Sequence, residues 1–272
     1  MRKALLSVYI FHCSIFILRA ADNYPVGERS AGIADASVTL KDVWSCFHNQ
    51  AGLAYLKNTT AGASFDNRFT ISDLSTKGFA FAAPSKAGTF GLSASVFGYS
   101  NYNEKKAGLA YAKKFGEKIS GGIQLDYLNT FIGDEYYGSK SSFAIEAGLL
   151  SEPLKNFKLG FHIFNPTRAK LAEYAGERIP TVFRLGASYL FSEKVLWSAE
   201  EEKDIDQQAI FKSGIEYHIN EPLFLRTGIG TNPTLVSFGF GVKMKQMTFD
   251  AASSYHQVLG FSPSFSVSYD FQ

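Results

Sequence analysis

The fold class this chain predicts is all-β: a transmembrane antiparallel β-barrel of about 14 strands with a short N-terminal helical plug. Three observations predict it. From Thr59 onward, short runs alternate apolar and polar residues, the period of a strand with one face in lipid and the other in a lumen. The connections between runs are short on one side and longer on the other, as in outer-membrane barrels. Aromatic residues make up 15% of the chain, with 25 Phe and 14 Tyr, enough for a lipid-facing wall with interfacial girdles.

Residues 1–21 read as a signal peptide. Arg2 and Lys3 form a basic start, Ala4–Leu18 an apolar core, and Ala20-Ala21 a small-residue cleavage site. The core falls short of the roughly 20 residues a membrane-spanning helix needs and stops at Arg19. Losing Arg2, Lys3 and Arg19 takes the formal charge from +2 to about −1, with no basic stripe for nucleic acid. Cys13 leaves as well, so Cys46 stands alone without a disulfide. A closed hydrogen-bond ladder is then the expected source of stability.

Residues 22–57 form the plug segment. Ala31–Leu40 is rich in small residues, and Lys41–Tyr55 reads as one short helix with Val43, Phe47 and Leu53 apolar. Its expected place is inside or beneath the lumen.

Residues 58–272 form the barrel. The expected strands are 59–70, 77–84, 87–99, 104–115, 117–130, 139–150, 155–165, 181–192, 194–203, 208–219, 221–231, 233–244, 246–256 and 262–272. Short turns such as Phe115-Gly-Glu117 and Ser192-Glu-Lys194 belong to the periplasmic side. The connections 131–138, 166–180 and 257–261 are longer and expected to point outward, whereas 231–233 departs from the rule.

The final strand shows which face is which. Phe265, Val267, Tyr269 and Phe271 share one face, and Ser264, Ser266, Ser268 and Asp270 the other. A Lys or Arg facing lipid at mid-membrane costs roughly 2–4 kcal/mol, so the charged set faces the lumen. Lumen-facing candidates are Asp66, Arg68, Glu146, His162, Arg184, Lys212 and Glu216. Nearer the C-terminus they are His218, Arg226, Lys243, Asp250, His256 and Asp270. The polar face is also rich in glycine, including Gly122, Gly160, Gly186, Gly214 and Gly228, which suits a lumen that admits a plug. Mixed signs point to a network filling the lumen rather than the single-sign rings of an ion-selective channel.

Enzyme chemistry is not expected. The His residues are scattered, no Cys pair could bind zinc, and HExxH, GxSxG and P-loop motifs are missing. No cofactor or metal is expected. Glu200-Glu-Glu202 reads as a solvated rim rather than a calcium loop.

Gly27-Glu-Arg-Ser-Ala-Gly-Ile-Ala-Asp-Ala-Ser-Val-Thr-Leu40, followed by Val43-Trp-Ser-Cys-Phe-His-Asn-Gln-Ala-Gly-Leu-Ala54, resembles the start of PorV/PorQ-type proteins of the FadL-like outer-membrane barrel superfamily. Ile179–Tyr189 also looks like a block of that family, whose barrel has 14 strands. Gln50 stands where the family has Pro, and Ala34-Asp35 replaces its second glycine. Within this block Trp44, Asn49 and Gly52 form the plug/turn motif. The resemblance implies the outer membrane of a Gram-negative bacterium and an accessory role in type IX protein secretion. Partners would be outer-membrane lipid, a secretion channel and exported proteins. Resemblance to FadL transporters implies instead the passage of small hydrophobic compounds. A plugged structural barrel is the third expectation.

Overall fold

The computed structural model describes residues 25–134, 138–170 and 178–271. The expected signal peptide lies outside the described residues.

A chain that alternates over 8 to 17 residues and turns sharply between runs can satisfy its backbone in lipid only by closing on itself. Fourteen antiparallel strands do so here. They are β1 (Thr60–Asn67), β2 (Ser75–Pro84), β3 (Thr89–Tyr99), β4 (Tyr102–Phe115), β5 (Ile119–Ile132), β6 (Gly138–Leu154) and β7 (Phe157–Phe164). Then follow β8 (Val182–Ser192), β9 (Val195–Asp204), β10 (Ile210–Asn220), β11 (Leu223–Gly230), β12 (Leu235–Met244), β13 (Met247–His256) and β14 (Gly260–Asp270). Each pairs with the next, and β1 closes on β14 from Thr60↔Asp270 to Asp66↔Ser264. Every expected strand is present in order, with ends displaced by a few residues.

The largest local correction is at the end of β1. Phe69 and Thr70 adopt left-handed backbone (φ 55° and 58°), which a continuing strand cannot accommodate. Arg68 therefore lies in the turn Arg68–Thr70, not on a strand. The short connections are 85–88, 116–118, 155–156, 193–194, 221–222 and 245–246, all at one end, the one expected to be periplasmic. At the other end 68–74, 133–137 and 165–181 are long, and the two-residue link 100–101 departs most from the expected asymmetry.

The outward face is apolar around the wall, with Leu109, Ile123, Phe143, Leu185, Phe238 and Phe265 exposed. Aromatic pairs lie toward both rims. Tyr127–Phe143 and Tyr255–Phe261 stand near the long-loop end, with ring centroids 5.6 and 4.8 Å apart. Phe90–Tyr111, Tyr189–Phe191 and Tyr269–Phe271 stand near the short-turn end. Two such girdles are what a barrel shows to the two interfaces of an outer membrane.

The core is inside the barrel. Residues 25–57 fold there as α1 (Glu28–Ala31), α2 (Ser45–His48) and a 3₁₀ turn, Gln50–Tyr55. The expected single helix over Lys41–Tyr55 is broken at Asn49, which is extended (φ −162°, ψ 104°). Its Oδ1 accepts from the Ala51 backbone N–H at 3.1 Å, starting the next turn afresh. Val43, Trp44, Cys46, Phe47 and Leu53 pack together with Ala80, Ala82, Ala110 and Ala112 of the wall.

Candidate functional site

The interior segment meets a wall of small residues. A Cβ on Gly122 would lie 2.6 Å from the Ala51 backbone nitrogen. One on Gly160 would lie 2.5 Å from the Val38 carbonyl oxygen, and one on Gly214 the same distance from the Ile33 Cβ. Gly62 lies under the Trp44 indole, and Gly239 faces Gly32. A side chain at these positions would push the segment off the wall. Gly27 adds a backbone requirement: φ is +113° and Trp44 covers it. Gly52 is crowded by the Leu40 carbonyl and the Ser45 hydroxyl.

Polar bonds then fix the segment around the circumference. Arg29 donates from Nε and Nη2 to the two oxygens of Glu216 at 2.9 and 2.8 Å, a bidentate pair, and from Nη1 to Asp42 at 3.2 Å. The Ser37 and Val38 backbone N–H groups both donate to Glu200 Oε2 at 2.8 Å. Gln50 donates to Glu146 Oε2 at 2.6 Å. Asn49 Nδ2 donates to the Val38 and Leu149 carbonyls at 2.8 and 3.1 Å, tying segment to wall. Ser64 donates to Glu28 at 2.9 Å. Burial makes Cys46 inert, pushing its thiol up to about 12. It also holds His48 neutral, its pKa pushed down to about 3, while Nε2 bonds the Val26 carbonyl oxygen at 2.8 Å.

The charged side chains of the wall form three clusters. In the first, Glu146 meets Lys106 and lies 2.8 Å from His162 Nε2, with Lys106 3.4 Å from Asp126. In the second, Arg184 and Lys212 share Glu202 at 2.7 and 2.9 Å, and Lys212 lies 3.4 Å from Glu200. In the third, Arg226 lies 2.7 Å from Glu216 and 2.5 Å from Asp250, and His218 lies 3.0 Å from Glu216. Glu146, Asp126 and His162 are fully buried and Arg184 is 1% exposed. Unpaired charges at such depth would cost several kcal/mol, so pairing is a condition of folding.

The structure brings Glu146, His162, Arg184, Lys212, Glu216, His218, Arg226 and Asp250 into these clusters. Others on the same list lie at the rims. Asp66 is 3.6 Å from Arg68 in the outer turn region. Lys243 and Asp270 are 3.9 Å apart at the short-turn rim. His256 Nδ1 accepts from the Val258 and Leu259 backbone N–H groups at 3.1 and 3.2 Å, capping the β13–β14 turn.

Lys106, Asp126, Arg29, Glu200 and Glu202 were missed by sequence reasoning. Strand parity could have found four of them: Lys106 and Asp126 share faces with Gly108 and Gln124, and Glu200 and Glu202 with Ser198. The solvated-rim reading of 200–202 is thus corrected: Glu200 and Glu202 are lumenal, and only Glu201 points outward.

Above the charged clusters the outer mouth is apolar: Leu128, Ala144, Phe164, Ile179 and Val182 pack together. Asn165 and Ile179–Thr181 of the 165–181 connection fold into this mouth, whereas Pro166–Arg168, Lys170 and Arg178 are exposed. Asn165 Nδ2 donates to the Ile179 carbonyl at 2.9 Å, and Thr181 donates to the Asn165 carbonyl at 2.8 Å. The ladders end unevenly at this rim: Gly138–Ile145 of β6 pair with β5 alone. The β1 ladder ends at Asp66↔Ser264, so Gly260–Pro263 of β14 continue with β13 alone. The turn Arg68–Thr70 lies against β14 there, with the Phe69 N–H donating to Ser262 Oγ at 3.0 Å and the Phe69 ring 6.1 Å from that of His256.

No protein-family model and no curated protein matches this chain. Solved structures do. The CymD monoaromatic hydrocarbon channel superposes with a TM-score of 0.71 at 13% identity, covering 93% of this chain and 99% of that one. The Pseudomonas putida toluene transporter TodX gives 0.70 at 12% identity, over 92% and 100%. A Pseudomonas aeruginosa FadL homologue gives 0.64 at 15%, over 91% and 98%. The fold is that of FadL-like outer-membrane channels. At these identities the FadL-like likeness is one of fold. The similar structures are by name channels and transporters, not enzymes.

Proposed function

We propose that this protein admits small apolar compounds through an outer membrane, its lumen being closed at rest by residues 25–57. The FadL-like fold over more than nine-tenths of the chain carries this reading. One feature supports it: the apolar packing of Leu128, Ala144, Phe164 and Val182 at the long-loop mouth, which an apolar solute would meet first. Cleavage of residues 1–21 on export belongs to the same proposal. The test is uptake of radiolabelled toluene by a Gram-negative host lacking its own hydrocarbon channel. Expression should raise the initial rate several-fold over a host carrying the empty vector.

A second reading rests on a different observation. The described interior is filled by side chains, which suits a non-conducting barrel that serves protein export through its outer surfaces. It takes precedence if neither the full chain nor a chain lacking residues 31–55 raises toluene entry.

A further inference from the structure

The periplasmic rim carries an excess of positive charge on one side only. At the lumen mouth Tyr55 holds two ammonium groups over its ring, Lys41 Nζ at 3.5 Å and Lys114 Nζ at 4.2 Å from the centroid. Lys158 on β7 is close enough to add to the repulsion on Lys41. Glu152 meets Lys41. Lys114 has no carboxylate partner among the described contacts, and at Lys158 the attraction of Glu216 is opposed by Arg29. The same sector adds Lys86, Lys118 and Lys155 of the turns and Lys113 of β4, all exposed, against Glu117. The opposite sector is balanced: Lys194 adjoins Glu193, and Lys243 lies 3.9 Å from Asp270.

Like charges gathered in excess of their counter-ions repel one another, and cation–π contacts with one tyrosine offset only part of that repulsion. We infer that the β2–β7 sector of the periplasmic rim, centred on Lys41 and Lys114 over Tyr55 with Lys158 on the adjoining β7, docks an acidic segment of a periplasmic protein. Phospholipid headgroups fit less well. They surround the whole wall, whereas this patch occupies one sector. Its central lysines face the lumen mouth, away from the bilayer. A carboxylate-rich segment can enter that mouth and place several charges at once, and the complementarity would speed encounter as well as hold the complex. The inference does not depend on whether the lumen conducts.

The test uses the full chain in nanodiscs and a fluorescein-labelled deca-glutamate peptide, read by anisotropy. Two variants are compared: Lys114→Gln with Lys158→Gln, and Lys194→Gln with Lys243→Gln. The first pair should lose about tenfold in affinity, and the second should stay within about twofold. Binding should weaken steeply with salt. Equal losses in both variants would overturn the proposal, because the peptide would then read total charge rather than a site. So would absence of peptide binding together with vesicle flotation that depends on 30% phosphatidylglycerol and on Lys114 and Lys158, which assigns the patch to lipid.

Discussion

The two faces of the wall are made by the same strands, residue by residue in alternation, yet they are specified very differently. Outward positions such as Ile123, Leu125, Phe143 and Leu149 need only be apolar, because lipid conforms to them. Inward positions have named partners. Gly214 must be small because Ile33 is against it, and Glu216 must be acidic because Arg29 and Arg226 both reach it. The outer face is set by its solvent and the inner face by one particular segment of the chain. Substitutions of similar chemistry should therefore be tolerated outside and costly inside.

The sharpest break is expected at the third charge cluster. Glu216→Leu strips Arg29 and Arg226 of a shared buried partner and should cost about 3–5 kcal/mol, read by reversible guanidinium unfolding in phospholipid vesicles. A loss below about 1 kcal/mol would mean that the interior charges are hydrated rather than mutually held. On the outer face the comparable insult is Ile123→Arg, expected to cost roughly 2–4 kcal/mol in the same assay. No cost there would place Ile123 away from the hydrocarbon belt.

Crowding separates the faces in another way. Gly214→Leu should leave the barrel heat-modifiable on a gel but displace the interior segment, at a cost of about 1–3 kcal/mol. Cys46 reports the displacement. It is unexposed in the native barrel, so maleimide should label it slowly in the parent and readily in the variant. Equal labelling of the two would show that the segment stays docked. The smallest effect is expected from Leu125→Ile on the lipid face, within about 1 kcal/mol of the parent. A larger loss would mean that a protein partner, not lipid, covers that position.

The same contrast explains what was legible in the amino-acid order. Strand number, order and facing follow from parity, a local pattern that lipid enforces on every strand, and the glycines at 122, 160, 214 and 228 already marked a crowded interior. The break of the interior helix at Asn49 was not legible. It depends on bonds from Asn49 to Val38 and to Leu149 on β6, remote in the chain. The outer end of β1 was misjudged because Arg68-Phe69-Thr70 continues an acceptable alternation while its backbone turns left-handed. Lys106, Asp126, Glu200 and Glu202 had the right parity, but their pairing emerges only when β4–β6 and β8–β10 stand side by side. The 200–202 run shows how charge density can mislead: two of its three carboxylates are lumenal, and one faces out.

The central claim is that residues 25–57 close a lumen that would otherwise conduct. Its most direct test is single-channel conductance in a planar bilayer, comparing the full chain with one lacking residues 31–55. The account predicts little or no conductance for the full chain and discrete, large openings for the deletion. A deletion that folds as a heat-modifiable barrel yet conducts no more than its parent would contradict it.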